Sequence, residues 1–197
     1  VIDRSVLSAR LTMDCDSDQA LLAAVARTDS TAFDELYRRY ERRVHGYLRS
    51  IVRDEAMTED LVIDTMTEVW RAAGRFQSRS QVSTWILGIA RHKAIDAIRK
   101  RAGDARTVAI EVSLQVPDCS KSPDDIAASE EGRRLMQQAI EQLSPDHQEA
   151  LRLAFFEELP YEQIAALLGI PANTVKSRVY YAKEHLRRLM SENAMER

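Results

Sequence analysis

Apolar positions recur at helical spacing along most of the chain. In AFDELYRRYERRVHGYLRSIV, Phe33, Leu36, Tyr37, Tyr40, Val44, Tyr47, Leu48 and Ile51 fall at i, i+3 and i+4 intervals, which predicts an amphipathic helix capped by Thr31. A shorter helix, capped by Asp18 and reaching Arg27, is expected before it. A third is expected from about Thr58 to Ala73, with Gly74 as its stop. Its apolar side is Val62, Met66, Val69, Trp70 and Ala73; its other side carries Asp60, Asp64, Thr67, Glu68 and Arg71. The polar loop RFQSRSQVS follows. A fourth helix, from about Val82 to Arg101, would bury Trp85, Ile86, Ile89, Ala90, Ala94, Ala97 and Ile98. Four such helices fit one bundle.

The periodicity lapses over residues 103–128, which are acidic and carry Pro, Ser and Asp. TVAIEVSLQV alternates as a strand would, but nothing else in the chain offers it a partner strand, so an extended linker is expected. Helical spacing returns near Ser129, with helices at about 130–142, 146–157, 161–168 and 172–190. The expected fold is all-α: a flexible N-terminus (1–16), a helical domain (17–102), a linker (103–128) and a second helical domain (129–197).

Composition agrees with this picture. Of 197 residues, 45% are hydrophobic and 30% charged, and only 6 Gly and 5 Pro interrupt them. No apolar run is long enough to span a membrane. The first residues, VIDRSVLSARLTMDCD, lack the apolar centre of a signal peptide, so a cytoplasmic location is expected. Cys15 and Cys119 stand far apart without a CxxC pattern, and His45, His92, His147 and His185 have no metal-ligand spacing. Neither a Walker loop nor GxSxG occurs. These features predict no metal, no cofactor and no enzyme.

Net charge is −3, but the charges are blocked. Residues 38–53 hold six Arg and one Glu, 54–68 hold six acids and no base, and 91–101 hold five Lys or Arg and one Asp. Two basic helices in separate domains point to nucleic acid. The second of them lies in IAALLGIPANTVKSRVYYAKEHLRRL. There Ala165 suits the close crossing of a helix-turn-helix, Gly169 its left-handed turn, and Ile164, Leu168, Ile170, Val175 and Val179 its inward faces. Asn173, Thr174, Lys176, Ser177, Arg178, Tyr180 and Tyr181 occupy the remaining surface, and their types reach phosphates and base edges.

At this point the residues resemble a known family. AFDELYRRYERRVHGYLR, EDLVIDTMTEVWRAAGRF and STWILGIARHKAIDAIRKR, within residues 33–101, are similar to region 2 of bacterial sigma-70 factors of the extracytoplasmic-function group. LSPDHQEALRLAFFEELPYEQIAALLGIPANTVKSRVYYAKEHLRRL, over residues 143–189, is similar to region 4. The resemblance implies a sigma factor that binds core RNA polymerase, through its clamp coiled coil and flap, and directs it to promoter DNA. Asp60, Asp64, Glu68 and Arg71 would contact the clamp, with Trp70 partly packed beneath. Ile63 stands where the family often has Gln, and either meets polymerase or turns inward. For the −10 element the resemblance implies Phe76, Gln77, Ser78, Arg79, Ser80 and Ser83, with Arg91, His92, Lys93, Arg99, Lys100 and Arg101 on phosphates or duplex edges. His92 replaces a frequent Asn. Trp85 is expected to pack, and Asp96 to pair with a neighbouring Arg.

For the −35 element it implies Lys176, Ser177, Arg178 and Tyr181 near the bases and Asn173 and Thr174 on phosphate. Arg187, Arg188 and His185 would meet phosphate or solvent, and Pro160 would suit a first helical turn. The acidic linker would follow positively charged channels of polymerase or act as a plain tether. An anti-sigma partner and a monomeric free state are also implied. Two other readings fit parts of the chain: a sigma-like decoy for an anti-sigma factor, and a helix-turn-helix regulator independent of polymerase.

Overall fold

A computed structural model of the chain describes residues 17–101, 103, 134 and 136–195. Residues 1–16, both cysteines, the expected linker beyond Gly103 and the expected start near Ser129 lie outside the described residues. All the described elements are helical. The described residues form two compact units: those to Arg49 with those from Asp54 to Gly103, and Ser50–Arg53 with those from Arg134 on.

In the first unit, α1 (17–25) buries Leu22 and Val25. Asp18 does not cap it. Asp18 is inside the helix, and its carboxylate accepts bonds from Arg39 Nη1 at 3.0 Å and from the buried Tyr40 hydroxyl. An acid with two donors in reach leaves water at little cost, so it ties α1 to the next helix.

That helix, α2 (Ser30–Val52), is capped by Asp29 rather than Thr31. Asp29 Oδ1 accepts the amides of Thr31 and Ala32 at 2.9 and 3.1 Å, which places Thr31 in the first turn. Leu36, Val44, Tyr47 and Leu48 are fully buried, as their spacing predicts.

Helix α3 (Glu55–Ala72) starts three residues before Thr58, because Asp54 adopts extended backbone and accepts the Met57 amide at 3.0 Å. Gly74 does not stop it directly; one 3₁₀ turn, Ala73–Arg75, intervenes. Trp70 meets Phe33 edge-on, with ring centroids 5.1 Å apart, and so pins α3 to α2. Helix α4 (Val82–Arg101) has the expected bounds and buries Ile86, Leu87, Ala90 and Ala94.

The second unit comprises α5 (136–141), α6 (Pro145–Phe155), α7 (Tyr161–Leu168) and α8 (Ala172–Met195). Ile140, Leu143, Leu151 and Ala182 form its core, with Met136, Phe156 and Leu186 against them. Helix α6 stops at Phe155, short of the expected 157, and Glu157 forms a buried ion pair with Arg152 at 3.5 Å. The Arg152 guanidinium also lies over the Phe156 ring, 5.8 Å from its centroid. Helix α8 runs past the expected residue 190 to Met195.

Candidate nucleic-acid and protein interfaces

The α7–α8 pair is built as the spacing requires. Gly169 has φ 71° and ψ 32°, and its amide and that of Ile170 both return to Ala165 O, at 2.9 and 3.1 Å. This left-handed stop lets the chain reverse within three residues. Pro171 O then accepts the amides of Thr174 and Val175 and opens α8. Pro160 stands just before α7, where its carbonyl accepts the amides of Gln163 and Ile164. Ile164, Val175, Val179 and Ala182 are buried, which fixes the face of α8 left to solvent.

That outer face carries Asn173, Lys176, Ser177, Tyr180 and Tyr181, all exposed; Thr174 is half-buried. The two tyrosines are each 62% exposed and lie edge-to-face at 5.7 Å. Ser177 Oγ donates back to Asn173 O at 3.0 Å. Arg178 differs from its neighbours: its guanidinium donates to Asp146 on the first turn of α6. Along α8, Lys183 Nζ sits 4.4 Å from the Phe155 ring centroid and Arg187 pairs with Glu184 at 2.5 Å. His185 is half-buried with its Nε2 enclosed, and its Nδ1 meets Arg188 Nη2 at 3.3 Å.

In the first unit, the loop from Phe76 to Gln81 exposes Gln77, Ser78 and Arg79. Ser78 has φ 52°, a conformation that few side chains adopt. Phe76 packs on Trp85, with centroids 5.3 Å apart. Ser80 is half-buried and donates to Gln81 O. Ser83 is only 7% exposed, and its hydroxyl faces Gln81 Oε1 at 3.5 Å. Its burial removes it from the surface that DNA could touch.

The basic residues of α4 separate into engaged and open ones. Arg101 bonds Asp54 at 3.0 Å, and Arg99 stands 3.9 Å from Asp96. Arg91 is half-buried. No hydrogen bond or ion pair from another described residue engages the side chains of His92, Lys93 or Lys100.

On α3, Asp60, Asp64, Thr67 and Arg71 recur at i, i+4, i+7 and i+11 and make one stripe. Asp60, Asp64 and Arg71 are exposed, and Glu68 is half-buried at the edge. Ile63 lies beside them at 59% exposure, so it turns outward. None of the four charged side chains bonds another described residue.

The profile of Sigma-70 region 2 matches residues 36–103, and that of Sigma-70 region 4 matches residues 133–186. The RNA polymerase sigma factor CarQ of Myxococcus xanthus is 36% identical over 84% of this chain and 92% of its own length. The chain belongs to the sigma-70 family of RNA polymerase sigma factors, in its extracytoplasmic-function group. SigK of Mycobacterium tuberculosis, an ECF sigma factor, is 31% identical over 90% of this chain and 94% of its own. Among solved structures, the sigma factor RpoE of Bartonella quintana, in complex with the anti-sigma factor NepR, superposes with TM-score 0.61 at 27% identity, over 81% of this chain and 96% of that one. CnrH, solved with the cytosolic domain of CnrY, shares the fold at TM-score 0.63 and 20% identity, over 90% and 99% of the two chains.

One surface feature of this sigma factor was passed over in the sequence. Asp146 left no local signal, because its partner is on a helix 32 residues away.

Proposed function

We propose that this sigma factor binds core RNA polymerase through α3 and reads promoters with two separate surfaces. The observation that carries the assignment of surfaces is the α3 stripe. Three exposed charges and an exposed isoleucine, with no bonds to other described residues, suit a partner that supplies both basic and apolar groups. Asp60, Asp64, Glu68 and Arg71 are its polar contacts, and Ile63 adds an apolar one.

The −10 element is taken by the Phe76–Gln81 loop and α4. Opened DNA presents unstacked bases, which a polar loop over packed aromatics can hold. Gln77, Ser78 and Arg79 are exposed on that loop, and Phe76 at its start packs on Trp85. His92, Lys93 and Lys100 are available to phosphates, and Arg91, Arg99 and Arg101 border them. The −35 element is read as duplex by α8, with Lys176, Ser177, Arg178, Tyr180 and Tyr181 toward the groove and Asn173 and Thr174 at the helix N-terminus on phosphate.

The polymerase and −10 domain is then residues 17–102, and the −35 domain residues 129–197. The bound NepR of the Bartonella relative supports an anti-sigma partner here too. No helix among the described residues is long and apolar enough to cross a membrane. The factor acts in the cytoplasm, where its polymerase and promoters are, as a monomer when free, and its role is regulatory rather than catalytic.

Reconstituted transcription tests this reading. Core polymerase and the purified chain are incubated with fragmented host DNA, and start sites are mapped. Discrete starts that share two spaced upstream motifs are expected. Core binding without starts points to a missing activator or a decoy, and loss of core binding altogether leaves an ordinary helix-turn-helix regulator.

A further inference from the structure

Arg178 is a cation of α8 that an ion pair ties to another helix. Its side chain is 23% exposed, while Asp146, which it meets, is 64% exposed. The bond runs from Arg178 Nη2 to Asp146 Oδ2. No other described residue bonds this guanidinium, so Nε and Nη1 keep their donors. A guanidinium is planar, and holding one nitrogen orients the whole fork. Lys176, by contrast, is exposed and unheld.

We infer that Asp146 is a positioning residue that fixes Arg178 for reading one part of the −35 element. The inference rests on the docking of α8 proposed above. A held arginine loses its rotamer freedom before DNA arrives, so it discriminates on geometry rather than supplying charge to any sequence. Asp146 on its own is a poor neighbour for DNA, because a carboxylate repels phosphate. Its place at the positive end of α6 favours its charge, and that alone is a reason for an acid there. The two roles separate by experiment, since helix stabilisation is blind to base sequence.

The test uses holoenzyme reconstituted from core polymerase and the full chain, on a mapped promoter with single-base substitutions through its −35 element. Four variants are compared with the parent: Asp146→Ala, Asp146→Asn, Arg178→Ala and the Asp146→Ala/Arg178→Ala pair. Circular dichroism melts monitor folding, and Asp146→Asn keeps the side-chain shape without its charge. Arg178→Ala and Asp146→Ala are each expected to lower discrimination about fivefold at the same base pairs, the low end of what a base contact supplies. The double variant is expected to discriminate no worse than Arg178→Ala, because the two act as one unit. An equal change by Asp146→Ala at every sequence overturns the inference, as does an effect that persists with Ala at 178. If Arg178→Ala initiates with discrimination intact, the assignment of Arg178 falls and the inference with it. If the parent holoenzyme initiates from no discrete site, the sigma reading itself falls.

Discussion

Asp54 and Arg101 meet at 3.0 Å, across 47 residues of sequence, so one carboxylate joins the start of α3 to the end of α4. Its other oxygen accepts the Met57 amide, also at 3.0 Å. The helix amide first, and then Arg101, hold the Asp54 carboxyl below the usual carboxylate value. A lowered carboxyl stabilises the fold in its charged form. That contribution is complete above the unfolded value, near pH 4, and is lost as pH falls through the lower folded value. Urea midpoints of the full chain, followed by circular dichroism between about pH 2 and 6, are expected to fall on the acid side of this window. Asp54→Asn still caps α3 but carries no charge, so its acid limb should be shallower. Identical limbs for the two proteins would show that the Asp54 charge contributes nothing, toward either the Met57 amide or the solvent-screened Arg101.

Gly169 is the point at which α7 becomes α8. A Cβ built there meets no atom within 4 Å, so space does not require glycine; its φ of 71° does. Gly169→Ala is expected to destabilise the second unit by roughly 1–2 kcal/mol, the cost of left-handed backbone for an L-residue. Gly169→Asn should cost less, because Asn tolerates that conformation. Thermal unfolding measures both. Initiation from promoters that depend on the −35 element should fall in the same order.

Ile63 offers a test of the α3 surface that charge alone cannot give. At 59% exposure it contributes little to the fold, so Ile63→Ala should leave the melting temperature almost unchanged. Core polymerase binding is expected to weaken about tenfold, near the threshold that marks an energetic interface contact. Asp60→Lys with Asp64→Lys should weaken it further, with the loss growing at low salt as repulsion replaces attraction. Titration of labelled core polymerase reads both effects. Undiminished binding by the charge-reversed pair places the polymerase contact elsewhere.

The helices of this chain were legible because burial writes itself as a period. Leu36, Val44, Leu48, Val62, Met66, Val69, Val175 and Val179 all stand inside where that period puts them. The helix starts were less legible. Asp29 and Asp54 cap from just ahead of the periodic stretch, where Thr31 and Thr58 look equally suitable. Ser83 reads as a loop-edge polar residue but shares the buried first turn of α4 with Val82 and Thr84. Pairings between elements left no trace in local sequence. Asp18 with Arg39 and Tyr40, Asp54 with Arg101, and Asp146 with Arg178 each need a fold before the partners can be named. The functional surfaces were found through the resemblance and the charge blocks. Their division into held and open cations, Arg178 and Arg101 against Lys176 and Lys100, came only with the structure.

The two proposed DNA readers sit on separate compact units. Linking two weak sites gives strong binding only when the tether allows both to engage together, and a long linker lowers the effective concentration of the second. Polymerase, in holding both units as proposed, would set the spacing between them. The isolated protein is therefore expected to bind a promoter duplex far more weakly than nanomolar in moderate salt, and holoenzyme at least about a hundredfold more tightly. Fluorescence anisotropy with one labelled promoter, with and without core polymerase, measures the difference. It should persist across a salt series, because the gain comes from geometry as well as charge. Nanomolar binding by the free chain would mean that α8 or the linker already holds the readers in place, and would favour a regulator that finds its sites unaided.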